Sequence, residues 1–208
     1  MGKPDIWPAI HSERKALAAD LVALSDAQWS TPSMCEEWTV RDVVAHMTAT
    51  AKITPATFFP KLLASGFSLG RLQAKDIVKE KGNSPRDTLA GFEAVVTSKK
   101  GPPGPTDTML GETIIHAEDI RRSLGLHHVY PTPAVVEVVD FYKNSNLIIG
   151  AKKRIAGLTL RATDTDWTHG TGPEVSGPVL TLLMAMTGRK AVLDGLTGDG
   201  VKTLSARP

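Results

Sequence analysis

Two ionisable residues occupy a helix face that any helical bundle would have to bury. Within residues 107–123, Glu112 and His116 stand four positions apart, and Met109 and Ile120 extend the same line. Side chains at this spacing stack on one side of a helix, so the carboxylate and the imidazole converge on one point. Burying both without a partner costs on the order of several kcal/mol. The chain must therefore fold so that something compensates them. A metal ion is one such partner, because imidazole nitrogen and carboxylate oxygen are ordinary zinc ligands and three protein donors leave a position open. His46 is the best-placed third donor, since Val43, Ala49, Thr50 and Ile53 make its side of an earlier helix partly apolar. Asp119 lies toward the same side as His116 and is placed to orient a ligand from behind. Spacing alone leaves plainer readings open. His46 could be a hydrogen-bonded core histidine, Glu112 and His116 a simple helix pair, and Asp119 a surface partner of Arg121 or Arg122.

Local signals predict the helices that would carry these residues. Pro8 suits the first turn of a helix running through Ile10, Leu17, Leu21 and Leu24. Thr39 and Asp42 form a capping-box variant that opens the stripe Val40, Val43, Val44 and Met47. Ser84, Pro85 and Asp87 repeat that logic ahead of Leu89, Phe92 and Val96. The run Gly101, Pro102, Pro103, Gly104, Pro105 cannot continue a helix and forms a stiff connector. The helix over 107–123 stops at Gly125. Thr132 and Pro133 start a fifth, through Val135, Val138, Val139, Tyr142 and Ile149. Five helices before residue 150 indicate a bundle domain over 1–150. Past Gly150 the character changes. Residues 158–162 alternate like a strand, and 164–177 are rich in Gly, Thr and Asp, as a hairpin or loop would be. Pro178 opens an apolar helix through Leu180, Leu183 and Met184 that ends at Gly188, and a short helix follows over 199–206. Residues 151–208 thus read as a small α+β domain with little core of its own. The fold class expected is α+β, mainly α.

Composition excludes several functions. There are 24 basic and 22 acidic residues, a formal net charge of +2. The basic clusters at Lys79 and Lys81, at Lys99 and Lys100, and at Lys152 to Arg154 are short, scattered and free of interleaved aromatics, which argues against a nucleic-acid partner. The single cysteine, Cys35, precludes an intrachain disulfide, fits a reducing cytoplasm and reads as a small buried filler. The charged start does not resemble a signal peptide, and no apolar run is long enough to span a membrane. A soluble, cytoplasmic protein without a membrane partner is expected. His127 and His128 read as surface-loop residues and His169 as part of a turn or pocket lip. Gly170, Thr171 and Gly172 lack the strand, turn and helix that a phosphate loop needs.

The segment Glu37-Trp38-Thr39-Val40-Arg41-Asp42-Val43-Val44-Ala45-His46, taken with Glu112, His116 and Asp119, resembles the mycothiol-dependent maleylpyruvate isomerase family of the DinB-like superfamily. The tail is similar too, in Gly157 to Trp167, Gly177-Pro178, Thr187-Gly188-Arg189 and Leu196 to Gly200. The resemblance implies a DinB-like four-helix bundle with one divalent metal held by His46, Glu112 and His116, followed by a sterol-carrier-like C-terminal domain. Zinc is the first choice of metal, with nickel or iron as alternatives. It also implies mycothiol or a similar small thiol as cosubstrate and a small electrophile as substrate, so that the activity would be a transferase or an isomerase. Arg161 and Arg189 are candidate supports for an anionic substrate. The alternative is a metal-binding stress or regulatory protein of the DinB-like type without catalysis. Pairing of two copies through helices, as DinB-like bundles often do, is left open.

Overall fold

A computed structural model describes residues 5–35, 37–147 and 149–208. The chain forms a mainly helical α+β fold that divides into two compact units, Met1–His128 and Val129–Pro208.

The first unit contains α1 (Trp7–Val22), α2 (Asp26–Trp29), α3 (Val40–Lys52), α4 (Pro55–Ala64), α5 (Leu69–Lys81), α6 (Pro85–Glu93) and α7 (Asp107–Ser123). The four helices read from the sequence within this unit are α1, α3, α6 and α7, and they are the ones that pack as a bundle: α3 lies against α6 and α7, and α1 against the same pair. Their apolar stripes face inward. Ile10, Leu17 and Leu21 from α1 are buried with Val40, Val43, Val44 and Met47 from α3, Phe92 from α6, and Leu110, Ile114 and Ile120 from α7. Each such side chain contributes about 1.5–3 kcal/mol through burial.

Capping fixes where α3 begins, and so where His46 sits along it. The Thr39 hydroxyl accepts from the Asp42 amide at 3.2 Å, and the Asp42 carboxylate accepts from the Thr39 amide at 3.0 Å. Lys81 on α5 pairs with the same carboxylate at 2.8 Å. Thr39→Ala is expected to lower unfolding stability by about 1 kcal/mol with metal content unchanged, measured by denaturant titration beside elemental analysis.

Three helices of this unit escaped the sequence pattern: the single turn α2, and the longer α4 and α5. Helix α5 packs along α3, yet its LGRLQAKDIVKEK sequence buries only Leu72, Asp76 and Ile77. Helix α4 buries no residue at all and carries Pro60 in its interior. Neither shows a continuous apolar stripe.

The second unit holds α8 (Thr132–Tyr142), α9 (Ala151–Ile155), β1 (Thr159–Ala162), β2 (Thr168–His169), β3 (Glu174–Gly177), α10 (Val179–Met186), a 3₁₀ turn over Lys190–Gly195 and α11 (Gly200–Ser205). The sheet order is β2-β1-β3. Leu160 opposes His169 in the antiparallel pair and Val175 in the parallel pair. Helix α10 packs on α8, α9 and the sheet. The helix expected to run through Ile149 ends at Tyr142, where Asn144 turns its side chain back to the Asp140 carbonyl and the Ser145 amide bonds to the Tyr142 carbonyl. Because α8 packs on α10, the division between units falls after His128 rather than after residue 150. Gly170 and Gly172, with φ of 83° and 135°, let the β2–β3 chain approach the backbone around Leu158 where a Cβ would collide. That close approach, not anion binding, is what these glycines provide. Among the described residues, no helix is long and apolar enough to cross a membrane.

Candidate metal centre

The bundle brings His46, Glu112 and His116 together, as the spacing argument expects. His46 projects from the second turn of α3. Glu112 and His116 project from adjacent turns of α7. His46 Nε2 lies 3.1 Å from Glu112 Oε1, and His116 Nε2 lies 3.6 Å from Glu112 Oε2. One donor atom from each residue falls within 4.8 Å of the other two. A tetrahedral ion with bonds of about 2.0–2.1 Å separates its ligand atoms by about 3.3 Å, a value bracketed by the two measured spacings.

Hydrogen bonding alone does not account for this arrangement. Glu112 Oε1 is buried without an aligned hydrogen bond, although His46 Nε2 is close enough to make one. Side-chain exposures of 9% for His46, 18% for Glu112 and 12% for His116 place the group inside the protein while leaving it reachable from one side. The donor set therefore fits a divalent ion with an open coordination position.

The supports behind these donors are specific. Asp119, with a fully buried side chain, lies 3.0 Å from His116 Nδ1, where its carboxylate can accept an Nδ1 proton, the tautomer that turns the Nε2 lone pair toward Glu112. Burial pushes the Glu112 carboxyl upward, but the charges of His46 and His116 and close polar contacts from His46 and Thr50 outweigh it, holding its pKa to about 2. Its negative charge is thus present at neutral pH and is lost only as pH falls through that value. The Thr50 hydroxyl also donates to the His46 carbonyl at 3.0 Å, tying the two turns of α3 together.

Three neighbours were not legible as site residues in the sequence. The Trp38 ring lies 4.8 Å from that of His46 and 6.1 Å from that of His116, so the indole walls the imidazoles on one side. Arg14 on α1 is buried, donates to the Ser98 carbonyl at 3.0 Å, and feels the Glu112 charge; burial lowers its pKa against that attraction. Cys35, read as a buried filler, is instead partly exposed, and its sulfur lies within 4.8 Å of donor atoms on His116 and Asp119. The loop carrying Cys35 and Trp38 turns through Glu37 at φ 68°, a left-handed conformation uncommon for a residue with a Cβ. Its position is fixed from α7, because the Met34 amide donates to the Asp119 carbonyl at 3.2 Å.

The remaining conspicuous residues have structural partners. His128 Nε2 lies 2.7 Å from Glu13 on α1, so the loop after α7 is anchored there, while His127 is exposed. His169 lies on β2 beside Trp167, and burial followed by the nearby Lys143 charge lowers its pKa. Arg161 pairs with Glu174 across β1 and β3 at 2.9 Å. Arg189 donates to the Thr187 carbonyl at 3.1 Å.

Comparison with known proteins adds a family match and a fold match. Residues 10–99 match the family model of the mycothiol maleylpyruvate isomerase N-terminal domain. Two solved structures resemble nearly the whole chain: the mycothiol-dependent maleylpyruvate isomerase, with a TM-score of 0.66, and a histidine-to-alanine mutant of it, with 0.64. Each is 16% identical and aligns over 93% of this chain and 91% of that one. No curated protein sequence matches. The resemblance carried by the residue motifs is borne out, and at this identity the two structures speak to the fold.

Proposed function

We propose that this chain, similar in family match and in fold to the mycothiol-dependent maleylpyruvate isomerase, is a metal- and thiol-dependent isomerase or transferase acting on a small electrophile. The observation that carries this reading is the convergence of His46 and His116 on the two oxygens of the Glu112 carboxylate, with one donor atom of each residue within 4.8 Å of the others. Zinc suits the two imidazoles and one carboxylate, and mycothiol or a similar small thiol is the cosubstrate.

A divalent ion held there would lower the pKa of an entering thiol and present it as a thiolate near neutral pH. The chain's own residues prepare for that role. His46 and His116 supply nitrogen donors beside Glu112, their rings edge to face with centroids 5.0 Å apart. The Asp119 carboxylate beside Nδ1 favours the tautomer whose Nε2 lone pair is available to the ion. The Glu112 charge is felt by the buried Arg14, which brings a cation near the carboxylate. Trp38 covers the imidazole faces and keeps water from that side. An electrophile with a double bond conjugated to a carbonyl could accept the thiol sulfur, rotate about the resulting single bond and expel it again, giving the geometric isomer. An electrophile with no such return path would keep the sulfur, which is transfer.

The test is turnover of maleylpyruvate with mycothiol. Chelator-treated protein should fall to the rate of thiol alone and recover when zinc is restored. Full activity in protein shown to be metal-free would sink the reading. Stoichiometric metal without thiol-dependent turnover of any electrophile would favour a non-catalytic metal-binding protein instead.

A further inference from the structure

His116 has donors on both faces, and the second face is also furnished for a cation. Its Nε2 faces Glu112, while its Nδ1 faces the buried Asp119 carboxylate at 3.0 Å. The Cys35 sulfur lies close to this pair, and one donor atom each from Cys35, His116 and Asp119 falls within 4.8 Å of the others. Sulfur, nitrogen and carboxylate oxygen form a softer set than the His46, Glu112 and His116 group. Such sets take thiophilic ions by preference.

We propose that Cys35, His116 and Asp119 form a second site for a thiophilic divalent cation, and that its occupation withdraws His116 from the first site. Competition for His116 rests on the metal role proposed above; the affinity of the sulfur-containing set for a soft cation does not. A neutral imidazole offers one lone pair. With the proton on Nδ1, shared with Asp119, the Nε2 lone pair serves the His46 and Glu112 side. With the proton on Nε2, facing the Glu112 carboxylate, the Nδ1 lone pair serves the Cys35 and Asp119 side. Asp119 accepts in the first tautomer; in the second the Glu112 oxygen, 3.6 Å from Nε2, lies just beyond hydrogen-bond reach, and a small shift of the ring would pair that N–H. Ligand atoms around an ion lie about 3.3–3.6 Å apart, so side-chain adjustments of about 1 Å would close the second set. Cys35 is partly exposed, which gives the ion an entry path. The loop is already held in place by the Met34 amide on the Asp119 carbonyl and by the Trp38 amide on the Cys35 carbonyl at 3.1 Å. The thiol proton leaves to solvent as the sulfur binds.

Cadmium reports on this directly, through the ultraviolet sulfur-to-cadmium charge-transfer band, and Cys35 is the only cysteine. In the purified protein the band should rise to saturation at one cadmium per chain. His46→Ala, which breaks only the first site, should keep the band at equal or higher affinity. Asp119→Asn and His116→Gln should weaken it by about tenfold or more. In zinc-loaded wild type, growth of the band should match zinc release read with a colorimetric indicator, and Cys35→Ser should hold one zinc with no band. Absence of the band in wild type would overturn the site. Equal affinity in wild type, Asp119→Asn and His116→Gln would reduce it to a thiol acting alone and overturn it as well. A band that grows while zinc stays bound would overturn the competition. These readings do not depend on turnover, so failure of the thiol-dependent activity would leave them interpretable.

Discussion

Replacing His46 or His116 by alanine is expected to take metal content from about one equivalent per chain to near zero, and thiol-dependent turnover with it. The two histidines come from α3 and α7, and each has its Nε2 on Glu112 at 3.1 or 3.6 Å. Removing either leaves two donors, the other imidazole and the Glu112 carboxylate with its buried oxygen. Two donors bind a divalent ion weakly, and the lost imidazole cannot be replaced by a neighbour on the same face. Elemental mass spectrometry on untagged wild type and on each mutant decides the matter, with circular dichroism to show that the helices persist. Stoichiometric metal in both mutants would mean that the three residues are not its ligands. Because the structure provides a separate sulfur-containing set, the measurement should be repeated in Cys35→Ser, where that set cannot contribute.

Asp119→Asn is expected to weaken metal affinity by about 10–100-fold while leaving the bundle folded. The substitution is nearly isosteric, so packing around this fully buried side chain changes little. What changes is the acceptor: a neutral amide holds the His116 Nδ1 proton less firmly than a carboxylate does, and the Nε2 lone pair becomes a weaker, less fixed donor. The measurement is a competition titration with a chromogenic chelator, beside the melting temperature of the metal-free protein. Unchanged affinity would show that Asp119 serves folding rather than the site. A large drop in the metal-free melting temperature, with affinity lost only in proportion, would lead to the same conclusion.

The parts of the fold that were legible share one property: their signals are local. The Thr39 and Ser84 capping boxes lie at helix starts, and the helix over 107–123 has the predicted bounds. The Glu112 and His116 spacing could be read because helical periodicity places both on one face. The illegible parts depend on distant contacts or on missing pattern. Helix α4 has no buried side and an interior proline, so no periodicity marks it. Strand β3 pairs in parallel with β1 although β2 comes between them in the sequence, which no local alternation reveals. Cys35 and Trp38 reach the site only because a loop between helices is hung from Asp119 and turned through a left-handed Glu37. Arg14 looks like an ordinary helical arginine until α1 docks against α7. The boundary between units was hidden for a similar reason, since α8 resembles its predecessors in sequence yet packs with α10.

The donor atoms reside on α3 and α7, segments far apart in the chain that meet only when the bundle is closed. An ion bound there recognises the folded state and not the unfolded one, so its binding energy adds to folding energy. At free ion a thousand times above the dissociation constant, that linkage supplies about 4 kcal/mol. Thermal resistance of the N-terminal unit would then vary with the supply of metal, and depletion of the ion would expose the chain to unfolding and turnover. The same junction that brings the three side chains together would set the lifetime of the protein by the cation around it.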